Sequence, residues 1–475
     1  MSVTVVAPTR PRPAWTLVLT AIAFFMVALD SLVVVTALPA IHRELGASLA
    51  TLEWTINAFT LAYAAGITTA AALGDRFGRR RLFVLGLVLF SAASAACAFA
   101  PNAAMLIVAR SVQGLAAAVI MPLSLTILVS AFGPQRRGTV VGIWGGIAGL
   151  AVASGPLIGG AVTQGLDWHW IFWLNVPIGL VATVLSRFLL VESHGPATRL
   201  DLPAAGLVSA GAVALVWGLI RSGEVGWSSP QVIGSLVAGA GLVGGFLLWE
   251  RGARDPMLPL HLFKDRTFSA ANGTAFLIAG SIFASAFLIA QYFQFGLGYS
   301  PFQAGLRLLP WTATPVVIAP LAGMVSERIG RRTLIAVGMM VQAIGLAWVA
   351  LLAATGAAYA PFLLPLILSG IGISMALPIV PAAVMSAVAP RDMGKASGVN
   401  STLQRLGSAF AIAIAAAVFA ANGHIGTPGT FTSGFKPALV VIAVLSLVGA
   451  VSALAISERR RARIAEPAIQ MAASA

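Results

Sequence analysis

Asp30 and Arg110 are the two residues whose type and setting most invite chemistry, because each puts a charge inside a long apolar stretch. Asp30 lies about 15 residues into the stretch 15–38 and roughly 8 from its end, ~12 Å deep at a helical rise of ~1.5 Å per residue. Arg110 lies about 7 residues into the stretch 103–129, at ~10 Å. An ionised side chain at the centre of a bilayer costs on the order of 2.5–3.5 kcal/mol even on the mildest scale. Opposite charges at similar depth offset that cost if they meet or share a water-filled cleft. Of the fifteen acidic residues, the other fourteen fall in loops, tails or stretch ends. A carboxylate that alternates between burial and a neighbouring cation binds and releases a proton as its surroundings change. Asp30 is thus a candidate for exchanging a proton against a solute, with a helix-to-helix hydrogen bond as the plainer role. Arg110 is its candidate partner, with snorkelling toward headgroups as the plainer role. Gln113, one turn deeper on nearly the same face, can hydrogen-bond Arg110 or a solute.

The elements that must hold these residues are transmembrane helices. The 475 residues are 59% hydrophobic and 9% charged, far below the quarter that a soluble domain carries. Apolar runs of about 20 residues recur without the alternation of barrel strands. They predict fourteen spans near 15–38, 54–74, 82–100, 103–129, 139–163, 170–190, 203–220, 231–249, 268–292, 303–325, 333–354, 361–388, 403–421 and 437–456. The net charge of +14 is a matter of topology: 23 of the 29 Lys and Arg fall on the side of the two termini. Only Arg43, Arg221 and Lys436 fall in opposite loops, so the termini are expected in the cytoplasm, with anionic lipids and not nucleic acid as the basic partner. The first stretch is too long for a cleaved signal and is expected to be retained. One cysteine, Cys97, excludes an intramolecular disulfide framework, and the five histidines form no metal-like cluster. No phosphate-binding Gly-x4-Gly-Lys motif occurs, so neither a cofactor nor direct use of ATP is expected.

The chain repeats itself. Gly74-Asp75-Arg76-Phe77-Gly78-Arg79-Arg80 after span 2 is echoed by Ser326-Glu327-Arg328-Ile329-Gly330-Arg331-Arg332 after span 10, an offset of 252. Gly114, Pro122, Pro134, Gly138 and Gly142 recur as Gly370, Pro378, Pro390, Gly394 and Gly398, an offset of 256. Both echoes relate a span to the eighth after it. The predicted architecture is an N-terminal tail 1–14, a six-helix bundle 15–190, two inserted helices with their loops at 191–267, a second bundle 268–456 and a basic tail 457–475. Two related bundles with a site between them is a transporter plan. The second copy has Leu366 where the first has Arg110, which argues that the arginine serves function and not packing.

These residues resemble the major facilitator superfamily, and within it the fourteen-span drug/proton antiporters. The likeness rests on Asp30-Ser31-Leu32…Ala37-Leu38-Pro39, the acid–Arg–x–Gly–Arg–Arg loop, and Arg110-x-x-Gln113-Gly114. It continues through Gly142…Gly155-Pro156-x-x-Gly159-Gly160 and Trp168-His169-Trp170-Ile171-Phe172…Asn175-x-Pro177-x-Gly179. The chain departs from the family pattern at Leu32 and Val35, where Thr and Asn are usual, and at Ala151 and His169. The resemblance implies proton coupling by Asp30 and Arg110 and a cytoplasmic latch between bundles at Gly74, Asp75, Arg76, Gly78, Arg79 and Arg80. Glu327 and Arg328 are the weaker copy of that latch. It also implies an exporter's kinked, closely packed helix at Gly142, Gly155, Pro156, Gly159 and Gly160, against generic small-residue packing as the plainer reading.

Trp54, Asn57 and Gln113 are candidate cavity residues. Glu53 reads as a solvated acid at the outer mouth, and Arg307 and Arg405 as snorkelling residues near span ends. The reading that follows is a proton-driven exporter of small amphipathic or cationic compounds in a bacterial inner membrane, its partners being solute, protons and lipid, with no obligate protein partner. A cation preference is expected from a single carboxylate in an aromatic cavity. The alternative is a dedicated exporter of one endogenous metabolite such as a host-made antibiotic. A membrane enzyme would need clustered catalytic side chains within spans, and none is found.

Overall fold

A computed structural model describes residues 13–132, 137–195, 201–253, 256, 258–389 and 392–457. The chain runs α1 Pro13–Leu45, α2 Leu49–Phe77, α3 Arg79–Ala98, α4 Ala103–Ala131, α5 Arg137–Gly165, the single turn α6 Trp170–Trp173 and α7 Asn175–Leu189. Then come α8 Leu202–Val225 and α9 Pro230–Gly252. The second half holds α10 Arg266–Gln291, α11 Pro301–Thr312, α12 Thr314–Ile329, α13 Arg331–Leu352, α14 Leu363–Ala376, α15 Ile379–Ser386, α16 Met393–Asn422 and α17 Pro428–Ala453. Most of both expected tails lies outside the described residues. Helix starts are fixed by short polar caps. Asn102 accepts from Met105 N at 2.9 Å, Asp265 accepts from Phe268 N at 3.0 Å, and Ser300 with Gln303 forms a capping box.

Among the described residues twelve helices are long and apolar enough to cross a membrane, thirteen if the bent α2 counts as one span. The chain is an all-helical, multi-pass integral membrane protein. The expected count of fourteen is not reached by that measure. The fifth expected span is helical as α5, but many of its side chains lie outside the description. Large apolar side chains face outward, such as Phe188, Val237 and Leu351, as a surface bathed in acyl chains requires.

The internal repeat is visible in the backbone. Gly78 and Gly330 both take positive φ, 107° and 96°, a conformation glycine adopts without a Cβ penalty. Each donates its N–H to the carbonyl four residues back, Gly74 or Ser326, and each launches the next helix on an Arg-Arg pair. Gly114 presses α4 against the Phe59 carbonyl of α2, and Gly370 presses α14 against the Trp311 carbonyl in the last turn of α11.

Apolar side chains form separate cores near the terminus side, one from the first half (Leu19, Phe83, Leu190) and one from the second (Phe268, Ile335, Ile456). On the far side a single core joins both halves, with Leu38, Ile41 and Phe172 beside Phe287, Leu308 and Phe362. The inserted pair is less peripheral than its apolar sequence suggests. Ala212, Val216 and Ile220 of α8 pack with Leu61 of α2 and with Ala409 and Ala413 of α16. α8 therefore bridges the two halves, and α9 packs on α8.

Close backbone approach makes one substitution decisive. A Cβ on Gly407 of α16 would meet the Phe276 carbonyl of α10, whereas one on Gly241 of α9 meets nothing within 4 Å. Gly407→Val is expected to lower the apparent Tm in detergent by several degrees, the cost of overpacking being about 1–3 kcal/mol. Gly241→Val is expected to leave it unchanged, with thermal unfolding followed by size-exclusion chromatography as the measurement.

Candidate functional site

Asp30 and Arg110 meet. Asp30 lies near the middle of α1 and Arg110 two turns into α4, both 1% exposed, and Arg110 NH1 donates to Asp30 Oδ2. Gln113 Nε2 donates to Asp30 Oδ1 at 2.9 Å and to Ser94 Oγ at 2.7 Å, while its Oε1 accepts from Arg110 NH1 at 2.6 Å. That pattern fixes the amide orientation, since only the NH2 end can serve a carboxylate. Asn175, the first residue of α7, adds a third donor to Asp30 Oδ1 at 2.9 Å. Arg110 Nε donates to the Thr55 carbonyl of α2 at 3.0 Å, and the guanidinium lies over the Phe59 ring at 4.3 Å. Cys97 Sγ sits 3.7 Å from Gln113 Oε1, so it is part of the network's wall.

Five helices thus converge on one carboxylate. Every neighbour of Asp30 in the network is a donor, which suits the ionised acid. A buried ion pair holds only when its remaining hydrogen-bond positions are filled, and here amides and a backbone carbonyl fill them. Gln113 is consumed by this network and does not line a cavity. Asn175 belongs to a motif quoted above, yet a neutral residue at a helix start gives no sequence signal of a role; Ser94 gives none either.

Asn57 and Trp54 share another face of α2, the one carrying Leu61 toward α8 and α16. Asn57 is fully buried and neither of its amide atoms has a partner. Two expectations about charged residues need correction. Glu53 is 2% exposed, not a solvated loop acid, because α8 packs along α2 and covers its start. Arg405 is not at a span end, because α16 begins ten residues earlier than the hydropathy suggested. Its guanidinium lies 4.2 Å from the Tyr63 ring centroid, across the seam between the halves.

The glycines of α5 make close contacts. A Cβ on Gly155 would meet Leu32, and one on Gly159 would meet Thr36 and the Val33 carbonyl, so α5 lies tight on α1. A Cβ on Gly160 would strike the Pro301 carbonyl, and one on Gly305 of α11 the Pro156 carbonyl, a reciprocal pair joining the halves on the far side. Gln294 Nε2 donates to the Thr36 carbonyl at 3.0 Å, and Phe302 N donates to Gln164 Oε1 at 3.3 Å, across the same seam. Gly142 lies on α5, with its surroundings outside the described residues.

The Gly74–Arg80 loop is held within its own half. Arg79 Nε donates to Asp75 Oδ1 at 2.8 Å, Arg79 N donates to the Ser193 carbonyl at 2.9 Å, and Arg80 N donates to Glu192 Oε1 at 2.9 Å. Arg76 is exposed beside Phe77. The expected latch between bundles is not made by these contacts; Glu192, just past α7, takes that place and caps the start of α3. Arg328 is exposed, and the Glu327 side chain lies outside the description.

Two outcomes follow from this geometry. Arg110→Ala leaves Asp30 buried without its cation and is expected to cost about 3–5 kcal/mol. The double variant Asp30→Asn/Arg110→Gln is expected to recover most of that in thermal unfolding. Gly160→Val is expected to part the far-side seam. In a Cys97→Ser background carrying Thr36→Cys, labelling by a membrane-impermeant maleimide should then accelerate at least tenfold.

A profile of the Major Facilitator Superfamily matches residues 20–292 and 271–471. The chain is 38% identical over 339 residues to the tetracenomycin C resistance and export protein of Streptomyces glaucescens, covering 71% of this chain and 63% of that relative, under two thirds of its length. It is 34% identical over 408 residues to the multidrug resistance protein Stp of Mycobacterium tuberculosis, covering 86% of this chain and 76% of Stp. A solved structure of a mutant of the peptide transporter POT in complex with sulfate superposes with a TM-score of 0.68 at 18% identity. It covers 93% of this chain and 94% of that one, a likeness of fold alone.

Proposed function

The chain belongs to the Major Facilitator Superfamily and is a transporter, not an enzyme; from that premise we propose that it is a proton-coupled exporter of small amphipathic compounds, an antiporter of the drug-efflux kind. The names of its relatives, a resistance and export protein and a multidrug resistance protein, support the export direction. The proposed architecture is six helices, two inserted and six more, with α5 as the fourteenth span. The bundles are 15–190 and 268–456, and both termini are in the cytoplasm of a bacterium. In that orientation the far-side seam closes the outside and the separate terminus-side cores face the cytoplasm.

The observation that carries the coupling is that α1 bears both the ion pair and the seam. Asp30 and Thr36 are six residues apart on α1, ~9 Å along the axis, and Thr36 touches both α5 and Gln294. A proton reaching Asp30 turns one acceptor oxygen into a donor, so Arg110, Gln113 or Asn175 must let go. Freed from its counter-ion, Arg110 keeps only the Gln113 amide oxygen and the Thr55 carbonyl. That unpaired cation is costly in a low-dielectric site, and a rearrangement of α1 against α4 relieves it. Movement of α1 loosens the α5 glycine contacts and the far-side seam with them. One proton entering down 100 mV supplies about 2.3 kcal/mol for the outward passage of a solute. Lipid contacts the outward apolar faces; no cofactor takes part in this scheme.

The experiment is gradient-driven dye efflux in proteoliposomes. Wild type is expected to move solute only under an imposed proton gradient, and Asp30→Asn to reduce coupled transport at least a hundredfold while inserting normally. Undiminished transport by Asp30→Asn, or efflux that persists with a protonophore, removes the proton-coupled reading.

A further inference from the structure

Arg405 is a membrane-embedded charge outside the Asp30–Arg110 network, and we propose that it recognises an anionic group, a carboxylate, sulfonate or phenolate, on the exported compound. This names the substrate class of the exporter proposed above and rests on that reading. Tyr63 is the midpoint of α2, 14 residues from Leu49 and 14 from Phe77, and Arg405 lies 4.2 Å over its ring. Arg405 therefore stands near the middle of the membrane, at the seam between the halves. Among the described residues no carboxylate lies within ion-pair distance of it.

Its surroundings are polar and partly open. Residues Ser401 to Leu406 are all partly exposed, and the run contains Ser401, Thr402, Gln404 and Arg405. Gln404 Nε2 donates to Asn400 Oδ1 at 2.7 Å, and Asn400 donates to Asn272 of α10 at 3.2 Å, so the polar row runs from α16 to α10 within the second half. The lipid side of the seam is covered by α8, whose Val216 and Ile220 pack on Leu61 and Ala409.

The charged groups on the elements around Arg405 do not neutralise it. On α2, Glu53 lies ten residues nearer the far side, ~15 Å along the helix. On α8, Arg221 is a second cation near the far end. Asp30 and Arg110 compensate one another and are sealed from the passage. The preference for cations expected from the sequence assumed an open carboxylate; Asp30 is enclosed, and the exposed charge has the opposite sign. A guanidinium is cationic in any protein setting and binds planar anions through two parallel N–H donors, while its stacking on Tyr63 orients the fork without cancelling the charge.

The test uses two xanthene dyes of similar shape and opposite charge, fluorescein and rhodamine 123, binding to the purified full-length protein in detergent by fluorescence anisotropy. No proton gradient is present, so the outcome is independent of whether transport is proton-coupled. Wild type is expected to bind fluorescein more tightly than rhodamine 123. Arg405→Gln is expected to shift the ratio of the two Kd values by about tenfold or more toward rhodamine 123, the worth of one charge-assisted contact. Arg405→Lys should retain part of the preference. If Arg405→Gln is not monodisperse, wild type and Arg405→Lys decide the matter. Tighter binding of rhodamine 123 by wild type, an equal loss of both dyes on removal of the charge, or no fluorescein binding up to millimolar concentration would overturn the proposal.

Discussion

A bilayer offers no water to a charged side chain, so every ionised group within it must bring its own solvation. Asp30 and Arg110 do this for one another. The carboxylate receives three side-chain donors and the guanidinium finds a carboxylate, an amide oxygen, a backbone carbonyl and an aromatic face. The rest of the first half is arranged to deliver these partners. Gly114 lets α4 approach α2 closely enough for the Thr55 carbonyl to accept, and Asn102 caps α4 so that Arg110 enters two turns later. Asn175 reaches the site from five residues inside the apolar span Trp170–Leu189. The cluster is a solvation shell made of protein, in which both carboxylate oxygens of Asp30 meet donors.

The second half has the same frame without the charge. Leu366 is fully buried where Arg110 stands in the first half, and Ser369 takes the place of Gln113. The polar contacts that survive are neutral: Gln342 Nε2 donates to Ser281 Oγ at 3.0 Å, and Ser369 Oγ has no partner. A neutral hydrogen bond contributes less than a hydrogen-bonded ion pair, so the polar contacts of the second half are the weaker set. The glycine contacts follow the same division. Gly155 and Gly159 tie α5 to α1 inside the first half, while Gly160 and Gly305 meet across the halves. One helix thus carries close contacts both within the first half and across the two halves.

The parts legible in the sequence were those with a strong one-residue signature. A lone acid and a lone arginine in apolar runs announce depth, and a glycine ahead of Arg-Arg announces a turn. Hydropathy also gave the helices themselves. It misplaced the start of α16, because Asn400 and Gln404 lower the average even though each is paired within the fold. With that boundary wrong, Arg405 looked like a surface anchor. Glu53 failed for a different reason: position along a helix gives depth, but not which neighbour covers the face. α8 decides that, and its apolar sequence says only that it crosses the membrane. Asn175 shows the limit most simply, since a neutral amide at a helix start looks like a cap until the carboxylate across from it is known.

The two arginines Arg110 and Arg405, both inside apolar helices, show how burial decides what a charge does. Arg110 is enclosed and compensated, so its field beyond the first shell is nearly that of a dipole and a passing solute feels little of it. Arg405 is partly exposed and, among the described residues, has no acid within ion-pair distance, so its charge is not cancelled locally as that of Arg110 is. Such a charge could not be kept at the seam between α2 and α16 if acyl chains reached it. Ala212, Val216 and Ile220 of α8 pack on that side with Leu61 of α2 and with Ala409 and Ala413 of α16, so α8 covers part of the seam with apolar side chains.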